Sequence, residues 1–162
     1  MVTGLPLAGV AALILLGQAP TAPPWLKPAA HATAAVSLEP ARKGAPPGEV
    51  VLAIDVRPAP GIHVYAPGND DYIPVSVSID PSPAVAPSAP RYPASEPFVF
   101  GASKEVLRVY SKPFRIRQPL KVTVASDVTV AGTLTYQACN DKVCFPPESL
   151  PLEVVLPAAR TR

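Results

Sequence analysis

Proline constrains this chain more than any other residue, because 24 of its 162 residues are proline. Proline lacks a backbone N–H and its ring clashes with the preceding turn of a helix, so long helices are nearly excluded. Apolar residues make up 48% of the chain and charged residues 16%, which is enough to build a core and too little charge for a disordered polyelectrolyte. A single domain of short strands joined by proline-rich turns is therefore predicted.

The N-terminal region differs in composition from the rest of the chain. The apolar run "LPLAGVAALILLGQA" has the length of the hydrophobic part of a signal peptide and is too short for a comfortable membrane span. We therefore expect residues 1–19 to be a signal peptide, cleaved after Ala19 or Ala32, although "MVTG" carries no Lys or Arg. An uncleaved membrane anchor and a wrongly assigned start codon are the alternatives. Residues 20–35, rich in Pro and Ala, are predicted to be a linker, and export would place the protein in the periplasm or outside the cell.

Alternation of apolar and polar residues dominates the remainder of the chain. Such alternation in many short runs, separated by turn residues, predicts an all-β, antiparallel β-sandwich over residues 36–158 with a short tail at 159–162. The two longest connections, residues 57–74 and 81–105, are predicted to be loops. The apolar residues that alternate in phase are Val50, Leu52, Ile54, Val56, Val75, Val77, Ile79, Phe114, Ile116, Leu120, Val122, Val124, Val128, Val130, Leu134, Tyr136, Leu150, Leu152, Val154 and Leu156.

The only two cysteines, Cys139 and Cys144, are separated by four residues in "TYQACNDKVCFPP". Alternation places Cys139 on the polar face of its strand, so its side chain is not expected to point into the core. The intervening residues fit a hairpin loop, with Cys144 roughly across from Cys139, where a disulfide can close without large backbone movement. Pro146 and Pro147 cannot donate a backbone hydrogen bond, so this segment is expected at the edge of a sheet, open to a partner.

Three uses of such a cysteine pair are open. A structural staple that closes so small a ring would contribute about 2 kcal/mol, less than a bridge between distant strands. A metal site would have to recruit His63, with or without His31, in a spacing that matches no common zinc pattern. Reversible exchange needs two thiols that can close a ring and one that another protein's sulfur can reach. Lys142 would lower and Asp141 would raise the pKa of a neighbouring thiol. The sequence therefore leaves open whether the thiol pKa is raised or lowered.

The segment "TYQACNDKVCFPPESLPL" resembles the N-terminal periplasmic domain of the thiol:disulfide interchange protein DsbD, also called the disulfide bond corrector domain. That family carries a Tyr-Gln-x-Cys run, a short gap and a Cys-aromatic-Pro-Pro-Glu run. The segment "GIHVYAPG" is similar to a strand end of the same family, and the resemblance spans roughly residues 36–156. The matching residues are Tyr136, Gln137, Cys139, Cys144, Phe145, Pro146, Pro147 and Glu148.

The resemblance implies an immunoglobulin-like sandwich that needs no cofactor beyond its own cysteines. Electrons would come from a membrane-embedded or thioredoxin-like donor and pass to oxidised periplasmic proteins through transient mixed disulfides. Cys144 would be the exposed attacking thiolate, and Cys139 would resolve the mixed disulfide. An aromatic cap, Phe98 or Phe100 in "EPFVFGAS", would cover the pair, and the acidic residues of the family would fall near Glu96.

The active-site shell implied by the resemblance also contains Tyr136, Gln137, Phe145, Pro146 and Pro147. The gap between the cysteines is one residue shorter than in the best-known members of the family, which would tighten the ring. The 162 residues contain only the region that resembles the N-terminal domain, so the chain is expected to depend on separate partners. Whether the exchange amounts to a protein-disulfide reductase activity stays open at this level.

Two other functions remain open from the sequence. The first is a non-catalytic immunoglobulin-like interaction module whose disulfide is static. The second is a metallochaperone that uses Cys139, Cys144 and His63, although no metal is expected from the spacing. Nucleic acid is not an expected partner, because the formal net charge is only +2 and no run of Lys or Arg supplies a phosphate-binding surface.

Overall fold

The computed structural model describes residues 31–40, 44–69, 71–101 and 103–158. Over these residues the protein is built from β-strands, and no helix capable of crossing a membrane is found among them. The predicted signal peptide, most of the predicted linker and the tail at 159–162 lie outside the described residues. The strands are β1 (Ala32–Leu38), β2 (Glu49–Pro58), β3 (His63–Tyr65), β4 (Ser76–Ile79), β5 (Val85–Pro87), β6 (Glu96–Val99), β7 (Val106–Tyr110), β8 (Phe114–Val122), β9 (Val128–Tyr136), β10 (Ala138–Cys139) and β11 (Glu148–Leu156).

These strands form three antiparallel sheets. The first sheet has the order β1-β2-β8-β5, the second β10-β3-β7-β6 and the third β11-β9-β4. The second and third sheets adjoin, because β9 leads into β10 through Gln137, whose carbonyl accepts the N–H of Tyr65 on β3. The main core lies between the first sheet and these two. The architecture is the immunoglobulin-like β-sandwich that the alternation and the family resemblance predict.

Alternation in the long strands accounts for the main core. In β2, Leu52, Ile54 and Val56 are buried, whereas Arg57 is exposed. Each buried Leu, Ile or Val side chain contributes about 1.5–3 kcal/mol relative to an exposed one, so the phase of a strand decides which face lies inside. The same phase holds in β9 and β11, whose buried residues include Val128, Val130, Leu134, Tyr136, Leu150, Leu152 and Leu156.

The first strand begins at Ala32, before the domain boundary predicted at Val36. Ala32 pairs with Pro58 at one end of the β1–β2 ladder, and Ala32 and Ala34 are both buried. Residues 32–35 read "ATAA", and such small side chains give no visible apolar alternation in the sequence. The sandwich therefore includes the alanine-rich segment at residues 32–35, which the sequence pattern assigned to the linker.

The two connections predicted to be loops contain short strands. β3 falls within residues 57–74, and β5 and β6 fall within residues 81–105. β5 and β6 are edge strands of their sheets, and an edge is where a strand tolerates a proline such as Pro87 or Pro97. The loop prediction is wrong at these points, because strands of three or four residues show too little alternation to be recognised in the sequence.

β3 separates two hydrophobic clusters. Val64 points into the main core, while Tyr65 on the opposite face belongs to a second cluster. Successive residues of a strand point to opposite faces, so one short strand supports the sandwich on one side and this second cluster on the other. We call the second group the thiol-side cluster; its buried members are Tyr65, Phe100, Leu107, Val109 and Cys139, with Tyr72 and Phe98 packed against them.

A substitution at Gly132 tests the sheet register. Gly132 lies on β9, opposite Ile79 of β4, and a Cβ atom there would lie 2.4 Å from the backbone carbonyl oxygen of Ser78. We expect Gly132→Ala to lower the free energy of unfolding in urea by about 1–3 kcal/mol, the usual cost of overpacking. The control is Thr129→Ala, exposed on the same strand, which should change it by about 0.5 kcal/mol or less. Wild-type stability of Gly132→Ala would contradict the β4–β9 pairing.

Candidate thiol–disulfide site

Two strand pairings bring the cysteines together. β10 pairs with β3, which sets Cys139 opposite His63, and Cys144 pairs with Cys139 through an antiparallel bridge. Directly opposed residues of antiparallel strands have Cα atoms about 4.5–5.5 Å apart, within the range of about 4.4–6.8 Å that a disulfide spans. Both cysteines are free thiols; Cys139 is fully buried, whereas Cys144 is exposed.

Cys139 has the predicted phase but not the predicted environment. Tyr136 and Ala138 point into the main core, and Cys139 points to the opposite face, as the alternation predicts. The prediction of a polar setting is wrong, because that face is covered by the thiol-side cluster and not by water. The covering side chains come from β3, β7 and the segment after β6, so the pattern around the cysteines alone cannot reveal them.

Residues 140–143 form the hairpin loop expected between the cysteines. The N–H of Asn140 donates to the carbonyl of Val143 at 3.0 Å. The side-chain oxygen of Asn140 accepts the N–H groups of Lys142 and Val143, each at 2.9 Å. The loop is therefore closed by its own hydrogen bonds and holds the two cysteines side by side.

Tyr65 contacts the exposed thiol, a role that the sequence patterns do not assign to it. Its hydroxyl lies 3.0 Å from Cys144 Sγ, and its side chain is fully buried. Burial, together with hydrogen bonds to both cysteine sulfurs, raises the pKa of Tyr65. The hydroxyl therefore keeps its proton and can donate it to a thiolate.

Tyr72 packs over Tyr65 from the connection between β3 and β4. The two ring centroids are 4.6 Å apart. The Tyr72 hydroxyl donates to Glu105 at 2.8 Å, and this bond raises the pKa of Tyr72 to about 12. Glu105 lies just before β7, so the bond ties the β3–β4 connection to the β6–β7 hairpin above the cysteine pair.

The environment of Cys139 disfavours its thiolate. Burial raises the pKa of the Cys139 thiol, and the Tyr65 hydrogen bond opposes that rise. Negative charge on Cys144 and on Asp141 raises the Cys139 pKa further. Lys142 and Asp141 are the two charged residues of the loop. Of these, it is thus Asp141 whose charge shifts the pKa of Cys139. A raised pKa keeps Cys139 protonated at neutral pH, so it is poorly suited to attack an external disulfide.

Both predicted cap residues belong to the thiol-side cluster. Phe98 stacks on His63 with ring centroids 4.0 Å apart, and Phe100 is buried in the cluster that contains Cys139. The next residue, Gly101, lies against the cysteine loop, because a Cβ atom there would be 3.1 Å from the carbonyl oxygen of Asp141. The β6–β7 hairpin therefore lies over the buried cysteine.

Gln137 joins the cysteine hairpin to the connection that carries Tyr72. Its side-chain oxygen accepts the N–H of Ile73 at 3.1 Å, and its side-chain nitrogen donates to the carbonyl of Phe145 at 3.1 Å. Gln137 contributes to the site by fixing the positions of these two segments.

The other predicted shell residues contact the start of β11 and β1. The Tyr136 hydroxyl donates to Glu148 at 2.6 Å, and His31 Nδ1 bonds the same carboxylate. The ring of Phe145 stacks on His31 with centroids 3.9 Å apart. Residues 146–147, the two prolines, are exposed beside them. Tyr136 and Phe145 thus contact Glu148 and His31, at the starts of β11 and β1.

The metal-binding alternative gains no support from the geometry. Within the part of the chain that the structure describes, His, Cys, Asp and Glu side chains form no group of three or more that could hold a metal ion. The set Cys139, Cys144 and His63 therefore does not constitute such a group.

The sequence profile of the family described as "Thiol:disulfide interchange protein DsbD, N-terminal" matches residues 32–155. The chain belongs to this family. The match begins with β1 and ends within β11, so it covers the whole sandwich and the cysteine hairpin. Comparison with curated protein sequences gives no match.

Solved structures resemble this chain. The N-terminal periplasmic domain of ScsB from Proteus mirabilis matches with a TM-score of 0.58 and 21% identity, over 85% of this chain and 53% of that chain. This chain thus spans about half the length of the ScsB structure, and the likeness shows a shared fold. The N-terminal domain of Neisseria meningitidis DsbD, in the reduced form, matches with a TM-score of 0.49 and 19% identity, over 66% of this chain and 78% of that chain.

Replacing Tyr65 by Phe tests the contact with the thiols. Because the Tyr65 hydrogen bond lowers the pKa of Cys139, we expect this pKa to rise further in Tyr65→Phe. The measurement is an ultraviolet titration of the thiolate in a Cys144→Ser background, which leaves one thiol to count. The control is Tyr110→Phe, whose hydroxyl donates to the carbonyl of Pro93. An unchanged Cys139 titration in Tyr65→Phe would show that the hydroxyl does not act on the pair.

Proposed function

We propose that the Cys139–Cys144 pair relays electrons by thiol–disulfide exchange. The donor is a membrane-embedded or thioredoxin-like redox protein, and the acceptors are oxidised periplasmic proteins. The observation that carries this proposal is the pairing of a buried thiol with an exposed thiol on adjacent segments under an aromatic cover. Family membership supports the same chemistry. The reaction needs no cofactor beyond the two cysteines.

A purely structural disulfide would be a weak use of this pair. The ring from Cys139 to Cys144 spans six residues, and closing so small a loop contributes only about 2 kcal/mol. The sandwich already has a core that joins residues of all three sheets. A disulfide with one exposed sulfur is also open to attack by other thiols, which favours exchange over a static bridge.

The exchange proceeds in two displacements. In the reduced protein, the thiolate of Cys144 attacks one sulfur of the partner's disulfide, and the partner's other sulfur leaves as a thiolate. Cys139 then attacks Cys144, forms the intramolecular disulfide and releases the partner's first sulfur. The partner gains two electrons and this protein loses two. A reduced donor runs the same sequence in reverse and restores both thiols.

The aromatic residues control access to the pair in this scheme. Phe98 and Phe100 act as the cap over Cys139, and Tyr72 covers Tyr65 beside Cys144. Such a cover limits the over-oxidation of a reactive thiol by small oxidants. The exchange takes place in the periplasm, the compartment named for the ScsB domain of the same fold, and residues 1–19 act as the export signal.

Two serine variants test the roles of the cysteines. Cys144→Ser removes the attacking thiol, so it should abolish electron transfer to an oxidised thioredoxin-fold protein and form no mixed disulfide. Cys139→Ser keeps the attack but cannot resolve the product, so a mixed disulfide should accumulate as a reducible band on a non-reducing gel. Trapping by Cys144→Ser in place of Cys139→Ser would reverse the assigned roles.

The same variants distinguish the static interaction module. If the disulfide is only structural, neither variant should trap a partner, and both should lose no more than about 2 kcal/mol of stability. Binding to any partner would then persist in both variants. That result would contradict the exchange function.

A further inference from the structure

Phe145 connects the exposed thiol to the sandwich, because it directly follows Cys144 in the chain. Its N–H donates to the carbonyl of Ala138 on β10, at 2.8 Å. Residues 146–147 come next, and as prolines they have no N–H with which to continue a ladder. The position of Cys144 relative to Cys139 therefore depends on how firmly Phe145 is held.

The ring of Phe145 contacts both the main core and His31. The ring is partly buried and packs against residues of the main core. The imidazole of His31 stacks on it, with ring centroids 3.9 Å apart and 25° between the ring planes. Stacked aromatic rings attract each other beyond the effect of the apolar area that they bury. The ring beside the exposed thiol thus has two separate supports.

His31 is itself fixed by hydrogen bonds from its backbone and its side chain. Its carbonyl accepts the N–H of Ala59 at 2.9 Å, which continues the β1–β2 pairing by one residue. Its Nδ1 bonds the carboxylate of Glu148, which also accepts the hydroxyl of Tyr136 at 2.6 Å. Only 20% of the His31 side chain is exposed, so the imidazole is held in place. A fixed imidazole can restrain the ring on which it stacks.

The family resemblance does not account for His31. The family profile begins at residue 32, one residue after it. In the sequence, His31 falls in the segment predicted to be a linker, where a polar side chain needs no partner. In the structure, it stacks on the residue that follows a reacting thiol. This contact joins the chain before β1 to the cysteine hairpin.

We propose that His31 is a positioning residue of the cysteine pair, which stacks on Phe145 and so keeps Cys144 where it closes the disulfide with Cys139. The proposal rests on the exchange function proposed above and names a residue that sets how stable the disulfide is relative to the two thiols. A thiol that is held beside its partner loses less conformational freedom when the ring closes. The stack should therefore favour the disulfide and make the reduction potential of the pair more negative.

Equilibration with glutathione measures this effect. The two thiols of the protein and one glutathione disulfide give the Cys139–Cys144 disulfide and two molecules of glutathione, so atoms and electrons balance. Free protein thiols are counted at each ratio of glutathione to its disulfide. We expect His31→Ala to lower the equilibrium constant for ring closure at least about threefold. The potential then becomes less negative by about 14 mV, because a tenfold change corresponds to about 30 mV.

Two further substitutions separate the two side-chain contacts of His31. His31→Phe keeps a ring that can stack on Phe145 but cannot bond Glu148, so it should keep the wild-type equilibrium constant. His31→Gln keeps a polar group for Glu148 but has no ring, so it should lower the constant as His31→Ala does. The effects of His31→Ala and Phe145→Leu should not add in the double variant, since both remove the same stack.

An aromatic stack in the main core provides the matched control. The rings of Tyr110 and Phe114 stack with centroids 4.1 Å apart, and both residues pack in the main core and not in the thiol-side cluster. Phe114→Leu should lower the temperature of thermal unfolding and leave the glutathione equilibrium unchanged. A residue that only stabilises the fold would behave in this way.

The possible outcomes separate the two proposals. An unchanged glutathione equilibrium in His31→Ala, with or without a loss of thermal stability, would overturn the positioning role. A shift in His31→Phe as large as that in His31→Ala would assign the effect to the Glu148 bond and overturn the role of the stack. Failure of the exchange function is a different result, in which Cys139→Ser traps no partner protein as a mixed disulfide, whatever the His31 variants show.

Discussion

The pairing of β3 with β10 is the interaction on which the site depends. β3 has three residues and β10 has two, yet their ladder divides the molecule into two environments. On one face Val64 and Ala138 complete the main core, and on the other His63 and Cys139 lie side by side. So short a ladder is stable only with support from its neighbours. That support comes from Gln137, whose backbone bonds Tyr65 and whose side chain bonds the segments on either side.

The pairing of β3 with β10 also gives the two adjacent thiols different chemistry. Cys139 is enclosed by aromatic and aliphatic side chains, and burial raises its pKa. Cys144 is exposed, and its sulfur lies 3.0 Å from the hydroxyl of Tyr65. Two identical side chains thus differ in solvent exposure and in the charges and hydrogen bonds around them. The same enclosure that protects Cys139 also makes its deprotonation difficult.

Sequence patterns predict the sandwich well and the site only in part. The long strands bury every second residue, so their alternation reveals the core, and the close cysteines with Asn140 between them reveal the hairpin. The short edge strands that contain Pro87 and Pro97 cannot be recognised in the sequence. They form strands because they pair with β8 and β7, and not because of a pattern of their own.

The thiol-side cluster cannot be recognised in the sequence for a related reason. Its members come from four separate parts of the chain, and only the folded topology brings Tyr65, Tyr72 and Phe100 to Cys139. The motif around Cys139 is local and therefore visible in the sequence. His63 is visible too, yet its neighbours Ser111 and Asp141 are far away in the sequence, so only the folded structure brings them together.

The reduction potential of the Cys139–Cys144 pair tests the central claim most directly. The protein is equilibrated in buffers of graded thiol and disulfide content, and its free thiols are counted at each potential. A carrier should have a potential between about −180 and −270 mV, the range in which exchange proteins work. A potential well below about −300 mV would mark a structural disulfide and contradict the account.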